Sequence, residues 1–246
     1  MTAWVSSFHD KYLMHTLLIR KDPSQLQSDI RFLERVLEVP KGGKILDQCC
    51  GIGSLSIPLA QRGYNVVGVD ITPAYIQQAQ ESKSLAAFFC SDARTFRTED
   101  CDAVFNWWTG FGYYESENEN TKLISSAFAS LRSGGLYLLD VPNGAGVIRH
   151  FKAKMCRTYE TEMGTISLER NTILDVARSR MEKTWIYRQK GIVCAQHETS
   201  VRLYHSHELI ALFRQVGFVD VRVIGDYAES SLGIDHLRCI CMGRKP

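Results

Sequence analysis

The chain has 246 residues, 45% of them apolar and 23% charged, with a formal net charge of +2. That length and apolar share suit one α/β domain carrying an insertion or a small cap. Lysines and arginines are scattered singly, so no basic stripe marks a nucleic-acid backbone site, and no apolar run approaches the roughly 20 residues that cross a bilayer.

Residues 1–20 hold His9, Asp10, Lys11, His15 and Arg20 rather than a charged start and an apolar block. No secretory leader is therefore expected, and a reducing cytoplasm is the expected compartment. Asp22 and Pro23 open a helix that carries Leu26, Ile30, Leu33 and Leu37 at helical spacing and runs to about Val39. Residues 1–40 thus form a helical lead. A regular alternation follows. Residues 44–47 read as a short buried strand, 54–62 as a helix closed by Gly63, and 65–70 as a second strand. Thr72-Pro73 opens a helix to about Ser82, and 86–90 and 103–107 read as strands three and four. Residues 117–132 form a helix with Ile124, Phe128 and Leu131 on one face, and 136–141 form a fifth strand.

Strands separated by helices make βαβ units and a parallel sheet covered on both faces. The pattern changes at 157–204, where Ile166 and Leu168, then Met181, Trp185 and Tyr187, then Val201 and Leu203 alternate. With a turn at Gln189-Lys190-Gly191, this predicts an antiparallel insertion of about three strands. Ser206 is expected to cap a helix ending at Gly217, and 219–224 and 237–242 to supply the last two strands. The fold predicted is a Rossmann-like, seven-stranded, mostly parallel sheet with helices on both faces and an antiparallel insertion after strand five, one domain over 1–246.

The chemistry concentrates at strand ends. Lys44-Ile-Leu-Asp-Gln-Cys-Cys-Gly-Ile-Gly-Ser54 is a strand, a glycine turn and a helix start, in which Gly51 and Gly53 let the backbone approach a ligand closely. Asp70 ends the next strand about 20 residues on, where a carboxylate either accepts both hydroxyls of a ribose or caps the helix that follows. A dinucleotide fingerprint would place a third glycine at Ser56. Asp47, just before the turn, would repel pyrophosphate but suits a cation such as the methionyl ammonium of S-adenosylmethionine. Cys49 and Cys50 are adjacent rather than spaced as a metal-binding CxxC, so no metal is expected, and the eight cysteines are expected mostly as small core residues.

Leu-Asp-Gln-Cys-Cys-Gly-Ile-Gly53 resembles the first motif of class I S-adenosylmethionine-dependent methyltransferases, which usually carry a glycine where Cys49 stands. Gly-Val-Asp70, with Ile71 after it, resembles the ribose-binding second motif, and Cys90-Ser-Asp-Ala93 the third. In that resemblance Asp92 accepts from the adenine amino group, though a turn aspartate fits there too. Asp102-Ala-Val-Phe-Asn106 resembles the fourth strand, Leu131-Arg-Ser-Gly-Gly-Leu-Tyr-Leu-Leu-Asp140 the later "LxPGG" element, and 106–114 the "FTSFGYF" region of small-molecule methyltransferases. The match is strong over 20–141 and looser over Trp4 to Leu13 and Val216 to Pro246. It implies S-adenosylmethionine held by Asp47, Cys49, Gly51, Gly53, Asp70, Ile71, Asp92, Ala93, Asn106 and Trp107, with methyl transfer to a small molecule.

Methyl transfer uses an activated donor, so positioning and desolvation do much of the work. Trp107, Trp108 and Tyr113 are candidates for an aromatic wall against the sulfonium; alternatively Trp107, Trp108 and Phe111 simply pack the sheet against the next helix. A base is needed only if the acceptor must lose a proton first; His15, Tyr12, Glu115 and His150 are the candidates. Asn143, after strand five, either holds an acceptor amine or hydroxyl or serves the Pro142-Asn143-Gly144 turn. Trp185 and Tyr187 either line the pocket or pack between layers. A nucleic-acid methyltransferase is disfavoured because Asn106-Trp107-Trp108-Thr109 lacks the prolines of the Asn/Asp-Pro-Pro-Tyr/Phe tetrad. Two further readings keep the cofactor: closure of its own chain to azetidine-2-carboxylate and methylthioadenosine, and binding without catalysis.

Overall fold

The computed structural model describes residues 7–19, 22–108 and 110–246. Trp4, Arg20 and Thr109 therefore lie outside the described residues. Seven strands form the main sheet: β1 (Lys44–Gln48), β2 (Asn65–Asp70), β3 (Ala87–Cys90), β4 (Cys101–Asn106), β5 (Leu131–Pro142), β10 (Val219–Ile224) and β11 (Arg238–Arg244). Their order is β10-β11-β5-β4-β1-β2-β3. The strands from β5 to β3 are parallel, and β11 runs antiparallel to both β5 and β10.

Two-residue periodicity sorts the strands onto two cores. Ile45, Ala103, Phe105, Leu138 and Ile240 face one side, where the helix Pro23–Leu37 buries Ile30, Phe32, Leu33 and Val36. Asp22 accepts a hydrogen bond from the Ser24 amide at 2.9 Å and so starts that helix. Leu46, Val104, Tyr137, Leu139 and Cys241 face the other side, under the helices Glu117–Ser130 and Ser206–Val216. The second of these is capped not by Ser206 but by His205, whose backbone N–H donates to the Glu208 carboxylate at 2.8 Å. All eight cysteines are free thiols, but only Cys50, Cys101, Cys239 and Cys241 are buried; Cys90, Cys156 and Cys194 are exposed.

The insertion is a separate antiparallel sheet of four strands rather than three: β6 (Lys154–Thr161), β7 (Gly164–Asp175), β8 (Arg180–Gln189) and β9 (Ile192–Arg202). The extra strand, β6, is an edge strand with no buried residue, so it lacks the apolar alternation that marks its neighbours. A short helix, Gly144–Arg149, joins β5 to it. The lead contributes a helical turn, Lys11–Leu13, that widens into a π-turn at Met14–Leu18. Its Phe8 and Leu13 pack on Ile166, Leu168, Trp185 and Tyr187 in a third apolar cluster. Asp10 and His197 meet at 2.8 Å across that contact. The lead thus bridges the insertion and the main sheet. Among the described residues no helix is long and apolar enough to cross a membrane.

Candidate active site

Strand order reverses between β1 and β4, because β1, β2 and β3 grow one way and β4 and β5 the other. The crevice outside the carboxyl ends of those strands is where such sheets bind ligands. The turn after β1 fills one side of it. Cys49, Gly51 and Gly53 all take left-handed backbone, with φ of 60°, 56° and 76°. A Cβ on Gly53 would lie 2.8 Å from the Phe88 ring, so that glycine is needed for packing. A Cβ on Gly51 would meet only Leu18 at 3.8 Å, which leaves room for a ligand against the backbone. Cys49, standing where a glycine is usual, takes the glycine conformation all the same. Its thiol lies 3.8 Å from the Gly110 carbonyl, within reach of a weak hydrogen bond.

Asp70, at the end of β2, accepts hydrogen bonds from the backbone of Gly51 (2.9 Å) and of Thr72 (2.9 Å). One carboxylate therefore ties the glycine turn to the start of the next helix. Asp47 is buried and accepts from the Ser56 hydroxyl at 2.6 Å. Asp92 accepts from the Arg94 backbone N–H (2.9 Å) and from the Arg94 guanidinium (Nε at 3.1 and 3.0 Å, Nη2 at 2.5 Å). Burial opposes ionisation of Asp92, but the Arg94 bonds outweigh it and hold its pKa below the usual value. These three hydrogens take most of the roughly four lone-pair sites of the carboxylate, so an adenine amino group would compete with Arg94 for Asp92. Arg94 also pairs with Glu119 and lies 4.2 Å over the Tyr114 ring.

A cavity of about 410 Å³ opens from this edge. Cys49, Gly51, Asp70, Ile71, Asp92 and Ala93 line its cofactor side. Trp108 and Tyr113 line its middle, and Arg170, Met181, Lys183, Trp185 and Thr199 line the insertion side. Phe8, His9, Leu13, Leu17 and Leu18 roof it. An adjoining space of about 70 Å³ touches Asp47, Cys49, Gly51 and Trp107. Apolar walls with a few convergent polar groups are the usual make-up of a small-molecule site.

Several expected residues stand elsewhere. His15 does not line the cavity. On the lead, His9, Leu13 and Leu17 recur every four residues and take the inner face, which turns His15 away. Tyr12 stacks on Tyr187 at 5.6 Å, Glu115 is exposed beside Arg178, and His150 is near Asp235. Asn143 is buried outside the cavity, and its side-chain amide donates to the carbonyls of Gly233 (3.0 Å) and His236 (2.8 Å). Its hydrogens are thus spent on the turn before β11. Trp107, 4% exposed, packs on Phe32 and Tyr227, while Trp108, 40% exposed, faces both spaces. Asn106 lies below the turn, and its amide nitrogen donates to the Cys49 sulfur at 3.6 Å. Gly53 is likewise beneath the surface of the cavity. Sequence reasoning singled out neither His9 nor the Arg170–Lys183 pair as site residues, because their facing depends on the lead and on strand register.

The residues at the cofactor side fit S-adenosylmethionine on their chemistry. Two carboxylates, Asp47 and Asp70, flank a turn whose Gly51 leaves open space, and the buried Asn106 Oδ1 beside it has no hydrogen-bond partner among the described residues. Residues 45–135 match the sequence model of a family described as a methyltransferase domain. The protein YqeM of Bacillus subtilis (strain 168), whose own methyltransferase assignment is provisional, is 25% identical over 199 residues, 78% of this chain and 80% of that one. The methyltransferase CcbJ from Streptomyces caelestis shares the fold at a TM-score of 0.75, with 16% identity over 91% of this chain and 90% of its own. The sugar N-methyltransferase KedS8 from Streptoalloteichus sp. ATCC 53650 does so at 0.73, with 18% identity over 92% and 88%. Matches to RNA methyltransferases are short: one spans 61 residues, 23% of this chain and 14% of the relative. Residues 45–135 thus match a methyltransferase domain, and the chain as a whole shares the fold of the methyltransferases with which it aligns.

Proposed function

We propose that the chain transfers the methyl group of S-adenosylmethionine to a small-molecule acceptor enclosed between the glycine turn and the insertion sheet. The observation that carries this reading is the single cavity of about 410 Å³ that touches Asp70 and Gly51 at one side and Trp185 and Thr199 at the other. Its size falls within the range of small-molecule sites. The sugar N-methyltransferase neighbour, whose fold covers most of this chain, supports a small acceptor.

When bound, the cofactor would supply a methyl group activated on sulfur, for which an acceptor lone pair would form the new bond while the S–CH3 electron pair stays on sulfur. The chain's residues bind, orient and exclude water. Asp70 is assigned to the ribose hydroxyls while it also fixes the turn. Asp47 is assigned to the methionyl ammonium. Asp92 reaches the adenine amino group only if Arg94 yields to Glu119, its second partner. Trp108 and Tyr113 line the cavity and would offer aromatic faces to a bound sulfonium, where cation–π attraction and desolvation would favour the reaction. Where the acceptor must lose a proton, His9 is the imidazole at the cavity, its ring 6.1 Å from that of Tyr113.

The test is product analysis after incubation with S-adenosylmethionine and a panel of small amines, phenols and carboxylic acids. S-adenosylhomocysteine that appears only with an acceptor is the expected result. Methylthioadenosine formed without acceptor would replace this reading with ring closure. Binding of the cofactor with neither product would replace it with a silent binder.

A further inference from the structure

The insertion wall carries charge that the methyl-transfer chemistry does not use. Register places Arg170 of β7 opposite Trp185 of β8, and Lys183 of β8 opposite Thr199 of β9. Alternation then puts all four side chains on one face, and all four line the cavity. Arg170 and Lys183 flank the Trp185 ring, 5.3 and 5.7 Å from its centroid. Arg170 makes a weak contact with the Met155 sulfur at 3.7 Å. Among the described residues no carboxylate pairs with either cation. The neighbouring acids are taken: Glu169 by Lys154 and Arg188, Glu182 by Arg178, and Asp10 by His197. Those acids at 169 and 182 also alternate onto the opposite face of the sheet.

Two half-buried cations side by side on an apolar wall are costly without a counter-charge. Contact with one indole face offsets only part of that cost. We propose that the acceptor carries an anionic group, carboxylate or phosphate, which Arg170 and Lys183 receive on the insertion wall while the body of the molecule lies against Trp185 and Met181. The inference rests on the methyl-transfer reading for the word acceptor, but the anion site is a property of the wall itself. Thr199, whose hydroxyl accepts from the Trp185 indole at 2.9 Å, can donate its own hydrogen to the same group. A guanidinium and an ammonium together give the geometry and the charge such a group needs. The arrangement also separates signs along the cavity: carboxylates at the cofactor side, cations at the acceptor side. A cationic acceptor without an acidic group would meet repulsion at the insertion wall.

The experiment is a titration followed by tryptophan fluorescence, with the full chain saturated in S-adenosylhomocysteine. Four ligands of equal body are compared: benzoate, phenyl phosphate, benzamide and benzylamine. Either anion should bind at least about tenfold more tightly than benzamide, as charge-assisted bonds require, and benzylamine should bind least. The tighter anion identifies the acidic group. Arg170→Met with Lys183→Met should erase that preference, and Lys183→Arg should retain it. Should the double variant not fold, Lys183→Gln, which keeps Arg170, should lower the preference in part. Equal binding of benzamide, tighter binding of benzylamine, no binding of any of the four, or a preference that survives the substitutions would overturn the proposal. Affinity for S-adenosylhomocysteine, measured alongside by calorimetry, reports on the cofactor side, so its absence would count against methyl transfer and not against the anion site.

Discussion

The two sides of the cavity are built by different means. The cofactor side comes from short, contiguous stretches at the ends of parallel strands: Asp47 to Gly53, Asp70 and Ile71, Asp92 and Ala93. Its shape is backbone shape, held by bonds such as Asp70 to the Gly51 and Thr72 amides. The acceptor side comes from single side chains on three antiparallel strands and on the lead, brought to one face by register. The first is a property of the sheet, so a substitution there disturbs a geometry; the second is a mosaic, so a substitution there changes one contact. A fold can therefore keep its cofactor while its acceptor changes.

The largest effect expected follows from that difference. Asp70→Ala removes the proposed ribose acceptor and two bonds that hold the turn, and should weaken cofactor binding by about 1.5–3 kcal/mol. Calorimetry on the wild type and the variant measures it. Unchanged affinity would break the view that this carboxylate organises the cofactor side.

Adjacent tryptophans give the next comparison. Trp107 packs in the core against Phe32 and Tyr227, while Trp108 faces the cavity. Trp107→Leu should lower stability by about 2–4 kcal/mol, read as a shifted urea midpoint, because it leaves a void in packed surroundings. Trp108→Leu should slow turnover by about tenfold, the worth of a lost cation–π contact, with little change in that midpoint. The reverse pattern would exchange their roles.

The contrast also explains what the sequence disclosed. The seven strands, their flanking helices and the turn at Gly51 and Gly53 all carry local signals: apolar runs, glycines at φ-positive sites, an aspartate at a strand end. These were legible from residue order. Asn143 carried the signal of a strand-end residue but spends its amide on the Gly233 and His236 carbonyls, a partnership made by a segment far along the chain. His15 and His9 are alike in composition and neighbourhood; only the packing of the lead on Trp185 and Tyr187 tells which faces in. Edge strand β6 has polar residues on both faces, so no periodicity announces it. Arg170 and Lys183 are ordinary surface residues to a sequence pattern. Their meeting depends on pairing between β7 and β8, which follows from register rather than composition.

The smallest effect sharpens the acceptor side alone. Burial lowers the Lys183 pKa, and Arg170 lowers it further, to about 8. The other titratable groups at the cavity are His9, Cys49, Asp70, Tyr75, Asp92, Arg94, Tyr113, Tyr114 and Arg170. An anion bound at Lys183 favours its charged form, so binding takes up a proton when the lysine is neutral beforehand. Below about pH 8 the ammonium is already formed and benzoate affinity should be flat as far as Lys183 is concerned. Above it, affinity should fall by up to about tenfold per pH unit until the raised pKa of the complex is reached. The free protein should show the matching trend. Because the unfolded lysine holds its proton to higher pH than the folded one, this group's unfavourable contribution to stability is full below about 8 and is relieved as pH rises toward the ordinary lysine value. Titrations at pH 7, 8 and 9 with Lys183→Arg as the control separate this lysine from the other groups, since a guanidinium keeps its charge throughout. A loss of affinity from pH 8 to 9 in the wild type that Lys183→Arg abolishes is the expected result. A loss of equal size in both would assign the titration to another residue, and a flat profile in the wild type would mean that Lys183 does not touch the anion.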